Sequence, residues 1–127
     1  MTLIAGAAGG IGVAAATRLA GEGACVAPSD INGEGLERAI ESIGTGSCVR
    51  AIEIQTDISD REQVLALAGR VQYELGPVNI LTNAAGVLES GGILDISEEQ
   101  WDRMLAVNLK GPFLVTQAVL EGMIGSG

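Results

Sequence analysis

Within the first twelve residues an uncharged apolar run, Met1–Ala5, gives way to Gly6-Ala-Ala-Gly-Gly-Ile-Gly12 and then to an Ala-rich stretch. Apolar run, glycines and helix formers in that order predict a buried strand, a tight turn and a helix. That is the first βα unit of a nucleotide-binding fold. Glycine serves two needs there. It permits the turn, and with no side chain it lets backbone N–H groups approach a pyrophosphate at the positive end of the helix. Gly10-Ile11-Gly12-Val13-Ala14-Ala15 fits G-x-G-x-x-A, but the strand would then run on through Gly6 and Gly9, which is poor strand chemistry. Gly6-x-x-x-Gly10-x-Gly12 starts the turn where the apolar run stops and is the preferred register.

The alternation continues along the chain. Helix one is expected from about Gly10 to Glu22, stopped by Gly23. A second strand, ACVAP, ends near Asp30. Helix two, about Gly33 to Ile43, places Leu36, Ala39, Ile40 and Ile43 on one face, and GTGS breaks it. Strand three covers roughly Cys48 to Gln55. Helix three starts after Ser59 with Val64, Leu67, Ala68, Val71 and Leu75 as its apolar stripe, and Gly76-Pro77 ends it. VNILT is strand four. Ser97 with Gln100 reads as a capping box, and the residues after it are helical in pattern, in two segments meeting near Asn108. The order βαβαβαβα, with strands buried on both faces, predicts an α/β fold: a Rossmann-like, doubly wound parallel sheet of four strands in the order 3-2-1-4. The last long helix is followed by no strand, and strand four would be an apolar edge. Residues 1–127 are therefore expected to be the N-terminal, cofactor-binding part of one larger domain, with the catalytic part absent. The alternative is a complete small four-stranded domain.

Composition removes several functions. Sixteen acidic against seven basic residues give a net charge of −9, which repels phosphate backbones and anionic membranes, so neither nucleic acid nor membrane is an expected partner. With no His, the common zinc sites and any Ser-His-Asp triad are excluded, and no metal site is expected. No apolar run is long enough to span a bilayer and no cationic segment precedes a short apolar one. Cys25 and Cys48 read as small buried hydrophobes, so a reducing, cytoplasmic setting is expected.

Asp30 lies eighteen residues beyond Gly12, at the end of strand two. A carboxylate there accepts hydrogen bonds from adenosine ribose hydroxyls and repels a 2′-phosphate, and neither Arg nor Lys stands in the glycine turn or just after Asp30. NAD is expected in preference to NADP; the competing reading makes Asp30 a solvated turn residue.

Further stretches carry a family resemblance. AGAAGGIG looks like T-G-x-x-x-G-x-G, with Ala5 where Thr is usual. Asn83-Ala84-Ala85-Gly86 resembles N-N-A-G, with Ala84 in place of the second Asn, and Val107-Asn108-Leu109-Lys110-Gly111 resembles N-V-x-G. Together these identify the chain, over essentially its whole length, as similar to the N-terminal half of a short-chain dehydrogenase/reductase. Gly6-x-x-Gly9-x-x-Gly12 also fits the extended branch of that family, but N-A-A-G and V-N-L-K-G favour the main dehydrogenase branch. The resemblance implies cofactor contacts from Gly6, Gly10, Ile11 and Gly12, from Asp57 and Ile58 at the adenine, and from Asn83, Ala84, Ala85 and Gly86 lining the cleft. It makes Asn108 the first member of an Asn-Ser-Tyr-Lys tetrad, its main-chain carbonyl holding a water in a proton relay. Read without the family, Asn108 marks a break between two helices. Ala5 and Ala84 each remove a hydrogen-bonding side chain, so weaker cofactor binding is expected.

In that family a Tyr is general acid or base toward the substrate oxygen and a Lys four residues later lowers its pKa. This chain has one Tyr, Tyr73, and one Lys, Lys110, thirty-seven residues apart, so it contains no Tyr-x-x-x-Lys. Tyr73 reads as a packing residue on helix three and Lys110 as solvated. The expectation is the NAD-binding portion of an oxidoreductase that interconverts alcohols and ketones, the chain alone inactive. The alternatives are a non-catalytic dinucleotide-binding or regulatory module and a truncated remnant without function. A small-molecule alcohol or carbonyl substrate and homo-oligomerisation are expected of the full-length form, because relatives pair through the helix after Asn108. The apolar residues Phe113, Leu114, Val115, Val119 and Leu120 would make that helix adhesive.

Overall fold

The structure is a computed structural model that describes residues 1–44 and 51–126. Its elements are β1 (Thr2–Ala5), α1 (Gly10–Gly21), β2 (Val26–Asp30), α2 (Gly33–Ile43), β3 (Ile54–Gln55), α3 (Arg61–Leu75), β4 (Ile80–Asn83), α4 (Glu98–Leu105), a π-helical turn (Ala106–Lys110) and α5 (Gly111–Gly125). The four strands are parallel and ordered β3-β2-β1-β4. Thr2 of β1 stands opposite Val26 and Ile80, and Ala5 opposite Ser29 and Asn83.

Alternation along the strands sorts the core into two layers. Leu3, Ala5 and Ala27 point to the face covered by Val64, Leu67 and Val71 of α3 and Leu114, Val115 and Val119 of α5. Ile4 and Val26 point to the other, where they meet Ala16 and Ala20 of α1 and Leu36 of α2. A period of two along a strand gives each face its own set of side chains. The small residues of α1 let that helix lie close on the sheet. Every residue of β1 is buried, as the central strand of a sheet covered on both faces requires.

Five expectations are corrected, the last in part. β4 is not buried on both faces: Asn83 is exposed, Ile80 is 45% exposed, and its only strand neighbour in the described structure is β1. Strand three is short. β3 pairs with β2 only through Ile54 and Gln55, and Ala51 makes an isolated bridge to Val26; Cys48 lies outside the described residues. Cys25 is half-buried just before β2 rather than inside a strand. Tyr73 is 91% exposed: at about 100° per residue it sits some 200° around α3 from buried Val71, on the solvent side. The adhesive stripe holds only in part, because Leu114, Val115 and Val119 are core residues while Phe113 and Leu120 are exposed.

Three helices open with side-chain caps. Asn32 Oδ1 accepts from the Gly35 N–H, Asp60 from the Glu62 and Gln63 N–H groups, and Ser97 and Gln100 form the reciprocal capping box. These bonds hold the Asp60 carboxyl below the usual carboxylate range, the Gln63 backbone N–H contributing most. Among the described residues no helix is long and apolar enough to cross a membrane.

Candidate functional site

All four strands end at one edge, and the segments leaving those ends enclose a cleft of about 440 Å³. Gly6 follows β1, Asp30 closes β2, Thr56–Ser59 follow β3 and Ala85–Val87 follow β4; Arg103, Ala106 and Val107 form the far wall. Chain order reverses between β1 and β4, so the cleft lies at the carboxyl ends of the strands at a topological switch point, where open α/β sheets bind ligands.

The glycine turn is built for close approach at two positions. Gly6 has φ +86°, and a Cβ on it would stand 2.2 Å from the Ala85 nitrogen. A Cβ on Gly12 would stand 2.1 Å from the Gly6 carbonyl oxygen. Both are required by the chain's own packing. Gly10 is not: a Cβ there meets nothing within 4 Å. The N-cap of α1, Gly9, supplies no side-chain hydrogen bond, and no acidic residue stands in the first turn. The opening amides of α1 are therefore left without a side-chain acceptor, beside exposed Ile11. A diphosphate needs those features: donors, a positive helix end and no Cβ in the way.

Main-chain groups hold the turn. The Gly6 and Ala7 N–H groups both donate to the Ser29 carbonyl, at 2.8 and 3.0 Å, and the Ala84 N–H donates to the Ala5 carbonyl at 2.8 Å. Ala5 and Ala84 thus leave the strand ends paired through the backbone. Their side-chain neighbourhood shows one gap: the buried Ser29 hydroxyl, in register with Ala5, has no partner among the described residues.

Two carboxylates face the cleft. Asp30 accepts the Ala8 N–H on Oδ2 and the Asn32 N–H on Oδ1, each at 3.0 Å. Asp57 Oδ1 accepts from the Ser59 N–H at 2.9 Å and hydroxyl at 2.7 Å. Ile58 is buried against Gly111, where a Cβ would come within 2.6 Å of its Cδ1. Among the described residues Arg103 is the one cation lining the cleft, and its Nη1 lies 3.8 Å from Glu89.

Asn108 sits in the π turn between α4 and α5, so the predicted break is real and takes the form of a feature common at functional sites. Its Oδ1 accepts the Val87 N–H and its Nδ2 donates to the Val87 carbonyl, both at 2.8 Å. The side chain thereby clamps the chain leaving β4 against the helix. Residue 112 is Pro, so the usual helical donor to the Asn108 carbonyl, four residues earlier, does not exist.

Of the predicted residues, Gly6, Asp30, Asp57, Ile58, Ala85 and Gly86 line the cleft together. Gly10, Ile11 and Gly12 open the adjoining helix. Asn83 points elsewhere, donating to the Thr116 hydroxyl at 3.5 Å, and Ala84 contributes its backbone. Thr56, Ser59, Val87 and Arg103 were not foreseen. Ser59 could have been found from D-x-S, a short acceptor–donor spacing that favours a local turn; Arg103 and Val87 carry no local signal.

Residues 1–127 match the family model described as short chain dehydrogenase. (3R)-3-hydroxyacyl-CoA dehydrogenase of Rattus norvegicus is 38% identical over 134 residues, covering 100% of this chain and 52% of the relative. D-threitol dehydrogenase of Mycolicibacterium smegmatis is 39% identical over 127 residues, covering 100% and 48%. The solved structure of NAD+-bound xylitol dehydrogenase superposes with a TM-score of 0.92 at 34% identity, over 98% of this chain and 48% of that one. The chain spans about half the length of the curated relatives it matches. A family match over its whole length, carried on the four-stranded parallel sheet and glycine turn, places the chain in the short-chain dehydrogenase family.

Proposed function

We propose that residues 1–127 are the dinucleotide-binding portion of a single catalytic domain, in an oxidoreductase that interconverts a small-molecule alcohol and its carbonyl compound, with NAD preferred to NADP. The observation that carries this reading is the uncapped start of α1, next to a glycine turn whose Gly6 opens into a cleft lined by Asp30. The amides of Gly10, Ile11 and Gly12 would hold the pyrophosphate, where Gly10 leaves room that internal packing does not demand. Asp30 accepts ribose hydroxyls and opposes a 2′-phosphate. Asp57 and Ile58 would flank the base, and Ala85 and Gly86 form the wall that Asn108 steadies through Val87. The Asn108 carbonyl, which lacks its usual helical donor at Pro112, is the group proposed to hold a water.

A bound nicotinamide supplies the hydride acceptor and donor; this chain's residues bind and orient it. Proton transfer at the substrate oxygen needs a group of suitable pKa within hydrogen-bond reach. Tyr73, the only Tyr, stands exposed on α3. Purified chain is therefore expected to quench or shift NADH fluorescence on titration, to bind NADPH more weakly, and to reduce no carbonyl compound. Tighter NADPH binding overturns the preference, and turnover that survives removal of contaminating reductases overturns the inactivity.

A further inference from the structure

We infer that Asp30 is a positioning residue for the glycine turn, so that it supports the binding of either dinucleotide before it discriminates between them. Its two oxygens are both engaged by main-chain amides, one from the turn (Ala8) and one from the start of α2 (Asn32). The ring closes through packing. Asn32 Oδ1 takes the Gly35 N–H at 3.0 Å, and Ala8 Cβ lies 2.6 Å from where a Cβ on Gly35 would stand. Ala8 is thus seated on the bare backbone of α2 and tied down by the carboxylate. Its amide lies between Gly6 and Gly10, so the tie orients the peptides that lead into the open end of α1.

An ionised carboxylate has about four lone-pair sites. Two amides leave room for ribose hydroxyls, and both roles fit on one side chain. They differ in what their loss does. A residue that only reads the ribose, once replaced by Ala, gives up NADH affinity and gains NADPH affinity. A residue that also sets the turn gives up both, because the diphosphate cradle loosens for either cofactor. Asp30→Ala is then not a switch of cofactor preference.

The binding half of this inference rests on the dinucleotide reading above; the structural half does not. Amide hydrogen exchange of the full chain reads the structural half in the absence of any ligand. In Asp30→Ala and in the milder Asp30→Asn, which keeps one acceptor oxygen, the Ala8 amide is expected to exchange about tenfold faster or more. The Glu62 and Gln63 amides, capped by Asp60, should keep their parent rates and show that the fold is intact. Titration with NADH and with NADPH should show both affinities falling in both variants. Unchanged Ala8 exchange in Asp30→Asn overturns the positioning role, as does NADPH affinity that rises in Asp30→Ala. A parent chain that binds neither dinucleotide, with Ala8 exchange still accelerated in the variants, refutes the dinucleotide reading and the binding half and leaves the tie to Ala8 established.

Discussion

The starts of α1 and α3 are the same physical object put to opposite uses. Each presents first-turn N–H groups with no partner inside the helix, at the end where the peptide dipoles sum to a partial positive charge. In α3 the chain closes that end itself: Asp60 accepts from Glu62 and Gln63, and Glu62 adds a further carboxylate to the first turn. In α1 the N-cap is Gly9, no side chain caps the start, and no acidic residue stands in the first turn. A helix start completed by its own chain is a stabilising device. One left open at the mouth of a cleft is proposed to receive an anion, the stability forgone being the condition for binding.

That contrast can be broken at several points, the most severe first. Gly6→Val should cost about 3 kcal/mol or more in denaturant unfolding, because a side chain at φ +86° collides with the Ala84–Ala85 backbone. A loss under about 1 kcal/mol would mean that the turn gives way more easily than its packing suggests. Gly9→Asp makes α1 resemble α3. Gly9 has φ −84° and ψ 160°, and its Cβ would meet only the Gly6 oxygen at 3.6 Å, so the residue is sterically admissible. Stability should hold or rise by about a few tenths of a kcal/mol, while NADH affinity falls roughly tenfold or more as the carboxylate takes the amides and opposes the diphosphate. Undiminished NADH binding would show that the open end is not the anion site.

The reverse experiment opens α3. Asp60→Ala should lower the melting temperature near neutral pH without creating dinucleotide affinity, because Glu62 remains in the first turn. Its pH dependence has a definite sign. The folded-state pKa of Asp60 lies below the ordinary value of 3.8, so the carboxylate contributes stability fully above that value and loses it as pH falls through the folded pKa. The difference in melting temperature between parent and Asp60→Ala should therefore shrink toward pH 3 and below; a difference that grows on acidification contradicts the cap. The smallest effect on folding is expected from Gly10→Ala, within about 0.5 kcal/mol of parent. Here the informative measurement is NADH titration, which should weaken because the new methyl occupies open space at the helix end.

Helix ends and apolar stripes were legible in the chain to within a residue or two. The bounds of α2 at Gly33 and Ile43, the Ser97–Gln100 box, the stripe of α3 and the break at Asn108 all appear where capping chemistry and helical spacing put them. The strand order also follows, since successive right-handed crossovers leave few topologies open. Tyr73 was misplaced because residue type was weighed over helical phase, which puts it on the solvent side. β4 stands at the sheet edge as expected, but the exposure of Ile80 and Asn83 depends on neighbours that its apolar composition does not name.

The site was legible in outline only. Gly6, Gly12 and Asp30 could be nominated from spacing, yet their tasks differ in ways that spacing does not reveal. Gly6 is glycine because Ala85 passes within touching distance, and Asp30 is tied to Ala8 from 22 residues away. Likewise Asn108 marks a helix break in sequence, whereas its grip on Val87 spans 21 residues and three-dimensional packing alone brings the two together. Arg103 enters the cleft for the same reason.

By itself, then, the amino-acid sequence determined the succession of strands and helices, the glycine turn, the ends of most helices and the lack of a Tyr-x-x-x-Lys pair. Those follow from interactions within about one helical turn or one strand, where a residue's partners are its near neighbours. Tertiary structure decided which helix start stays open, what Asp30 and Asn108 hold, and which side chains face the cleft. Those outcomes arise where loops from four separate strand ends converge, and their partners are chosen by the packing of the sheet and not by distance along the chain.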